Sequence, residues 1–587
     1  MPLISLRGAA AFTAFACFGL SSRAESQAVR EWAFPVSLFQ LPPAELLPDS
    51  TAPAILLPPE VLATQDLRPN IALSIFGSHA VDSERLAQLA GKPEVVPMLL
   101  RSLSATIARA VPHRTFGVLS PEIQVVANSA LPWSNNDGDL WAGRGTNTRF
   151  AAGFFARFWR VQLVVAPELT SMPNDSFELR KPIIERPTIP PDRSPFMLPW
   201  YAVGPYSVDM PTRFGNESLR RFSLGQSSVL VGLSKVQIGF GNENEWWGPG
   251  ITNALVLSNN APGFPHYFLR TARPLHTRLG ELDVRWLVGG LTESEHFDTT
   301  ASNNLRSLSA AALTLRLRRP AGLTVGAARS VWGTSTGWGE IPLRWFEVFH
   351  STGRPNNLPL SDSLLYPGGR DQVYSLFARW VFPEAGLDVY TEWGRTEFPT
   401  SFRDLLIAPN HTQAYTIGFQ WRRPGWTGDD FWRLHAENTT VEQSATFRDR
   451  PLGVWYTSRR VIQGYTNRGQ PLGAAVGPGS SGQNLRVDYM RPSWSFGLEA
   501  GRIRYNEDVR SLSDIQSFKR WCTHDVYLYW GPRASWWSRL GFAAADLTLG
   551  NRYNPWFQMQ SGCPRGDAMV DIRNTTFRLT LSPFARR

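Results

Sequence analysis

From about residue 120 to the end of the chain, apolar and polar residues alternate with a period of two, and no other feature limits the fold as strongly. In Ala414–Trp421 the residues Tyr415, Ile417, Phe419 and Trp421 are apolar, while Thr416, Gly418 and Gln420 are small or polar. The same rhythm sets Leu282, Val284, Trp286 and Val288 against Glu281, Asp283 and Arg285. It also sets Leu313, Leu315 and Leu317 against Thr314, Arg316 and Arg318. Side chains alternate between the two faces of a strand, so each run has one apolar and one polar face. A soluble sandwich alternates too, but its strands are usually shorter and its outward face is the polar one.

The connections decide between these architectures. Tight turns are predicted at Arg273-Pro274, Arg319-Pro320, Pro383–Gly386, Arg423–Gly425, Arg491-Pro492 and Gly531-Pro532. Long polar loops fill the alternate gaps, over about 130–146, 169–225, 244–263, 292–305, 333–371, 398–411, 444–484, 506–522 and 552–568. Short and long connections that alternate are the pattern of outer-membrane barrels, with short turns in the periplasm and long loops outside. The runs predict an all-β fold, a transmembrane antiparallel β-barrel of about 18 strands with a short N-terminal periplasmic helical segment. An even count puts both ends on the periplasmic side. The last run, Phe577–Phe584, alternates and ends on an aromatic residue. Mean hydropathy is −0.21, and after residue 24 no apolar run reaches the roughly 18 residues that a spanning helix needs.

The chain divides into three parts. Residues 1–24 read as a signal peptide: Arg7, an apolar stretch from Ala9 to Leu20, then Ser22-Arg23-Ala24 before Glu25. Cys17, flanked by Phe15 and Phe18, is a poor lipidation site. Residues 25–117 form a proline-rich and then helical periplasmic segment. Asp82-Ser83 caps one helix carrying Leu86, Leu89 and Ala90; Pro97 opens a second carrying Leu99, Leu100, Leu103 and Ile107. Their apolar faces are expected to cover the barrel mouth. Residues 118–587 are the barrel.

The candidate binding stretch is Gly239–Gly250, Gly-Phe-Gly-Asn-Glu-Asn-Glu-Trp-Trp-Gly-Pro-Gly, followed by Ile251–Asn260. Indole faces stack on the C–H face of a pyranose, and amides or carboxylates take its hydroxyls. That chemistry nominates Asn244, Glu245, Trp246, Trp247, Asn259 and Asn260 as glycan-binding residues. The alternative is that the tryptophans belong to the aromatic girdle of the barrel.

The same stretch resembles a known family. Trp246–Gly250 followed by Ser258–Ala261 is similar to the signature of the capsule-assembly outer-membrane lectins of the Wzi family, and the glycine-rich Tyr465–Gly479 resembles a late loop of that family. The resemblance spans roughly 120–584. Pro262-Gly263 stand where a basic residue is expected, and residues 25–70 match nothing in the family. The resemblance implies a lectin for capsular or extracellular polysaccharide at the outer membrane of a Gram-negative-type cell, with the polysaccharide export machinery as a further partner.

Other functions find little support in the residues. The net charge is +10, but the arginines are spread through apparent strands instead of clustered on one face or tail, so nucleic acid is not an expected partner. Arginine does suit uronic acids and the phosphates of outer-membrane lipids. No metalloprotease, P-loop or nucleophile-elbow motif occurs. The chain is therefore expected to be non-enzymatic, with no metal and no cofactor. Asp388, Glu392, Arg433, His435 and Glu437 are predicted to line the lumen, as a neutralised network or, for a surface hydrolase, as an acid pair. A sugar-permeable porin is the alternative function. Cys522 and Cys563 lie in or beside neighbouring loops and are expected to form a disulfide.

Overall fold

The computed structural model describes residues 85–92, 98–111, 115–178, 196, 199–200, 206–350, 352, 369–399, 401–448, 453–512, 522–558 and 570–584. The predicted signal peptide and the proline-rich stretch lie outside these residues. The rest closes into an 18-stave antiparallel barrel, as the alternation predicts. Its seam joins the first stave, Thr115–Asn128, to the last, Ile572–Pro583. Three staves are interrupted: Val161–Val165 with Glu168–Met172, Leu219–Ser223 with Ser228–Leu233, and His266–Thr271 with Leu275–His276. Pro167 and Pro274 stand in two of the breaks, where a residue without an N–H cannot complete the ladder.

Short and long connections alternate around the barrel. Four predicted turns lie at stave ends, between Leu317 and Leu323, Phe382 and Leu387, Pro424 and Phe431, and Met490 and Trp494. Arg273-Pro274 falls in the break just before the turn from His276 to Gly280. Gly531-Pro532 requires a correction: it lies inside the stave Asp525–Ser538, and the turn comes later, before Gly541. Pro532 pairs with Leu498 on one side, while the register toward Gly541–Tyr553 skips Gly531 and Pro532. A Cβ at Gly531 would collide with the carbonyl of Leu547, so glycine is needed for this close approach. The turns after Phe158 and Leu233 carry no proline or glycine signal and are not among those predicted.

The outward face is apolar where it stands open, with Ile238, Phe240, Leu313, Leu376, Ile417, Leu485, Leu498 and Leu549 all exposed. A closed sheet with this surface satisfies its own backbone and leaves its apolar side to lipid. No helix among the described residues is long and apolar enough to cross a membrane.

The N-terminal segment departs from expectation. Residues 85–89 and Leu103–Ala110 are helical, but Leu99 is not, and Leu100–Arg101 form a strand on Trp246–Trp247. Leu100 gains a partner 147 positions away, Trp247, which no local pattern reveals. Instead of only covering the mouth, the segment enters the lumen. Its groups meet wall residues on several sides: Arg85 with Asp388, Gln88 with Arg379, Ser104 with Glu243 and Arg270, Arg109 with Asp283, and Arg157 with the carbonyl of Val111. Leu103, Ile107 and Val111 pack on Leu119, Phe155 and Val164.

Candidate functional site

The stretch Trp246–Ala261 crosses the lumen above the N-terminal segment, and its backbone is held at nearly every step. Trp247 N–H donates to Leu257 O at 3.0 Å, and Gly248 N–H to Leu99 O at 2.9 Å. Gly248 has φ +120, and a Cβ there would press on the Glu392 carboxylate, so the position needs glycine. The next three donors converge on one side chain: Ile251, Thr252 and Asn253 N–H all donate to the Glu437 carboxylate, at 2.7, 3.0 and 2.8 Å. Leu255 N–H reaches Glu392 at 3.1 Å.

The two motifs that carry the family resemblance meet here. Tyr456 and Tyr465 donate to the carbonyls of Leu255 and Val256 at 2.8 and 2.9 Å. Ser258 N–H donates to Leu472 O at 2.8 Å, and its hydroxyl to Gly473 O at 2.6 Å. Ala475 N–H returns a bond to Asn253 Oδ1 at 3.0 Å. At Gly473 a Cβ would collide with the Tyr456 hydroxyl and Leu255 O, which explains the glycine at this position.

The six residues nominated for glycan contact are therefore brought together, but none presents an open face. Trp247 is 0% exposed and packs with Leu99, Leu100, Leu255 and Trp332 in one apolar core, its indole N–H donating to Glu245 at 3.0 Å. Glu245 in turn accepts from Arg285 at 2.7 Å. Arg101 lies over the Trp246 ring at 4.7 Å. Asn244 bonds with Gln226 and Ala261 O, Asn259 with Asn136 O, and Asn260 with Pro471 O, at 2.8, 2.8, 3.0 and 3.0 Å. The girdle alternative does not fit either, because both tryptophans face the lumen. A stacking contact needs an aromatic face bare of protein, and in this structure protein already covers both.

The predicted lumen cluster is present and committed to structure. Asp388 accepts from Arg379 at 2.8 Å and pairs with Arg85 at 3.4 Å. Arg433 holds Asp488 at 2.6 Å. Tyr390 OH donates to Glu437 at 2.8 Å and lies 3.0 Å from His435. Sharing of this kind is what a buried charge requires, and it leaves Asp388 and Glu437 saturated. Among the described residues no group of three or more His, Cys, Asp or Glu is arranged to hold a metal ion. Cys522 is disulfide-bonded, while Cys563 lies outside the described residues.

The loop side offers groups not nominated from the sequence. Arg459 is exposed and lies 4.3 Å from the Tyr206 ring centroid. Arg468 is half-exposed and faces Asp139 at 3.8 Å. Their signal is local: residues 453–480 carry Arg459, Arg460 and Arg468 and no acidic residue.

Residues 118–331 match the family described as capsule assembly protein Wzi. No curated protein matches the chain. Among solved structures the chain is similar to the Escherichia coli outer-membrane protein Wzi, described as involved in group 1 capsule assembly and as a carbohydrate-binding β-barrel. That likeness has 12% identity and a TM-score of 0.49 over 79% of this chain and 84% of the other. OprD from Pseudomonas aeruginosa follows at 9% identity and a TM-score of 0.35, over 81% and 96%. OccK7 from the same organism stands at 8% and 0.35, over 79% and 98%. The matched residues 118–331 include the whole Trp246–Ala261 stretch, so the crossing stretch of this outer-membrane β-barrel lies within the part of the chain that is similar to the capsule assembly Wzi family.

Proposed function

We propose that this protein is a non-enzymatic glycan-binding barrel that attaches or assembles capsular or extracellular polysaccharide at the cell surface, its long loops extracellular. The family match over 118–331 is the observation that carries this reading. The interior supports retention over passage: Trp247, Trp332, Trp455, Tyr456 and Tyr465 belong to one buried core within the lumen. On this reading Asn244, Glu245, Trp246, Trp247, Asn259 and Asn260 are the frame that sets the shape of the plug, and contact falls to its loop-side surface. Arg459 and Arg468 are the proposed contacts, and their fork-shaped donors suit the carboxylates of an acidic polysaccharide. Weak single contacts along a repeating polymer would add up to firm retention. We further propose the export machinery and outer-membrane lipids as partners, residues 1–24 as a signal peptide, and Cys563 as the partner of Cys522. The segment read as 25–117 is not separate from the barrel, since its residues 85–111 lie in the lumen and Thr115 already opens the first stave.

A glycan array with the detergent-solubilised protein tests the assignment. Binding to acidic polysaccharides that falls in an Arg459→Ala, Arg468→Ala double variant supports it. Absence of glycan binding, together with sugar-sized conductance of the purified protein in a bilayer, would turn the assignment toward the porin alternative.

A further inference from the structure

One stretch of the outward wall does not look like a lipid face. At the loop-side half of four adjacent staves, Gly280–Thr292, Leu305–Leu317, Leu323–Thr334 and Arg370–Phe382, the outward positions include Gly290, Ser307, Ser309, Arg329, Gly333 and Gln372. Their orientation follows from their neighbours, since Arg285, Leu287, Arg306, Leu308 and Trp332 point into the lumen. Polar and charged side chains there would be costly against hydrocarbon, an arginine on the lipid face most of all.

A segment of the following loop covers this strip from outside. Trp338–Phe349 is helical with a bend at Arg344, and its groups answer those of the wall. Val348 O and His350 O accept from Arg329 at 2.5 and 2.7 Å, and Gln372 Oε1 at 2.6 Å. Ser309 Oγ donates to Trp345 O at 2.8 Å. Trp338 lies so close over Gly290 that a Cβ there would strike its ring. Ile341 and Val348 are buried against the wall, as are the wall residues Val288 and Val331. The opposite side of the segment carries Leu343, Phe346 and Phe349, at 83%, 61% and 63% exposure.

We propose that Trp338–Phe349 is a flap embedded in the bilayer, with Leu343, Phe346 and Phe349 in contact with lipid acyl chains. The occupant follows from continuity. Phe346 and Phe349 pack on Trp286, which stands midway along its stave, and in the same sheet the neighbouring outward residues Tyr267, Leu313 and Leu376 are exposed apolar groups. The flap completes that band over a strip where the wall is polar. A solvent-facing loop would gain nothing by turning three large apolar side chains outward.

Spin labels at Leu343→Cys and Phe346→Cys, in protein reconstituted into phosphatidylcholine vesicles, test this, with Lys235→Cys on a short turn as the aqueous reference and the unsubstituted protein as the blank. The expected result is several-fold greater relaxation by dissolved oxygen than by a water-soluble nickel chelate at 343 and 346, and the reverse at 235. Greater relaxation by the nickel chelate at 343 and 346 overturns the proposal, as does shielding from both reagents with spin–spin broadening, which would mean that a second copy covers the flap. Should a variant lose the heat-modifiable mobility of a folded barrel, the unsubstituted protein in vesicles holding a diazirine-bearing phosphatidylcholine decides. Photolabelled peptides from 338–349 support the flap; labelling confined to other outward strands refutes it.

Discussion

Both the Trp246–Ala261 stretch and the N-terminal segment fill the lumen, but the first is anchored in a large apolar core that also takes in Leu99 and Leu100, while the helical parts of the second are held by a smaller cluster and by charged contacts. Trp247, Leu255, Val256 and Leu257 share their core with residues from the wall and from the 454–476 loop. The N-terminal residues Arg85, Gln88, Ser104 and Arg109 are bonded one by one to Asp388, Arg379, Glu243 and Asp283. Apolar burial has no preferred direction, and packing alone decides how much it contributes. Charged contacts depend on each partner being present, and buried ones are costly to leave unmet. The upper closure should therefore behave as a part of the folded core, and the lower one as a docked piece sensitive to single polar substitutions.

The largest effect expected from this contrast is at Trp247. Trp247→Ala should cost about 3–5 kcal/mol of local packing, the usual range for truncating a buried tryptophan. Hydrogen exchange should accelerate through 246–261 and 465–476 together, and the barrel should keep its heat-modifiable mobility. If exchange rises only at 246–248, the two loops are not one core. Next is Arg85→Ala, which leaves Asp388 to Arg379 alone and should cost about 1.5–3 kcal/mol, the range for a hydrogen bond to a charged group. Faster exchange of residues 85–92 and 103–109, and next to Pro249, whose carbonyl Arg85 also holds, is the expected outcome, with the 254–261 core unchanged. Equal loosening of both would mean that the two closures open as one. Glu437→Gln should be milder, about 1–2 kcal/mol, since the amide oxygen still accepts part of what the carboxylate holds. Loss of protection at Ile251, Thr252 and Asn253 checks it.

The smallest effect is a pH dependence at the loop side. Burial pushes the Glu293 carboxyl up to about 7 from 4.5, and nearby Asp298 and Asp209 add to the shift. A carboxyl raised in this way is better accommodated when protonated. Its contribution is fully present below about 4.5 and is lost as pH rises through about 7. Exchange in 293–304 should quicken over that window, and Glu293→Gln should flatten the profile.

The barrel was legible because its lipid and lumen faces repeat every second residue, so the approximate stave number and the loop alternation follow from local pattern. What escaped the sequence depends on distant partners. Leu99 and Leu100 fit a helical spacing until the backbone of Trp246–Trp247 supplies a strand to pair with. Gly531-Pro532 has the composition of a turn, but a close approach by Leu547 explains the glycine. The nominated residues do gather, yet a tryptophan suited to a sugar face is equally suited to a core, and only the fold decides between them. The loop at 333–371 reads as polar overall, which hides the apolar side that Trp338–Phe349 turns outward.

The seam has a consequence for the order of assembly. The stave Thr115–Asn128 closes on Ile572–Pro583, so the ring is completed only once the last of its eighteen described staves is in place. Residues 85–111, encircled by that ring, precede its first stave in the chain. Either they are already folded back against the nascent sheet when the final strand arrives, or they must afterwards enter through the short-turn opening against walls whose carboxylates and arginines have found other partners. The first route exposes no uncompensated wall charge at closure, and it makes the segment before the first stave a template around which the staves are wound.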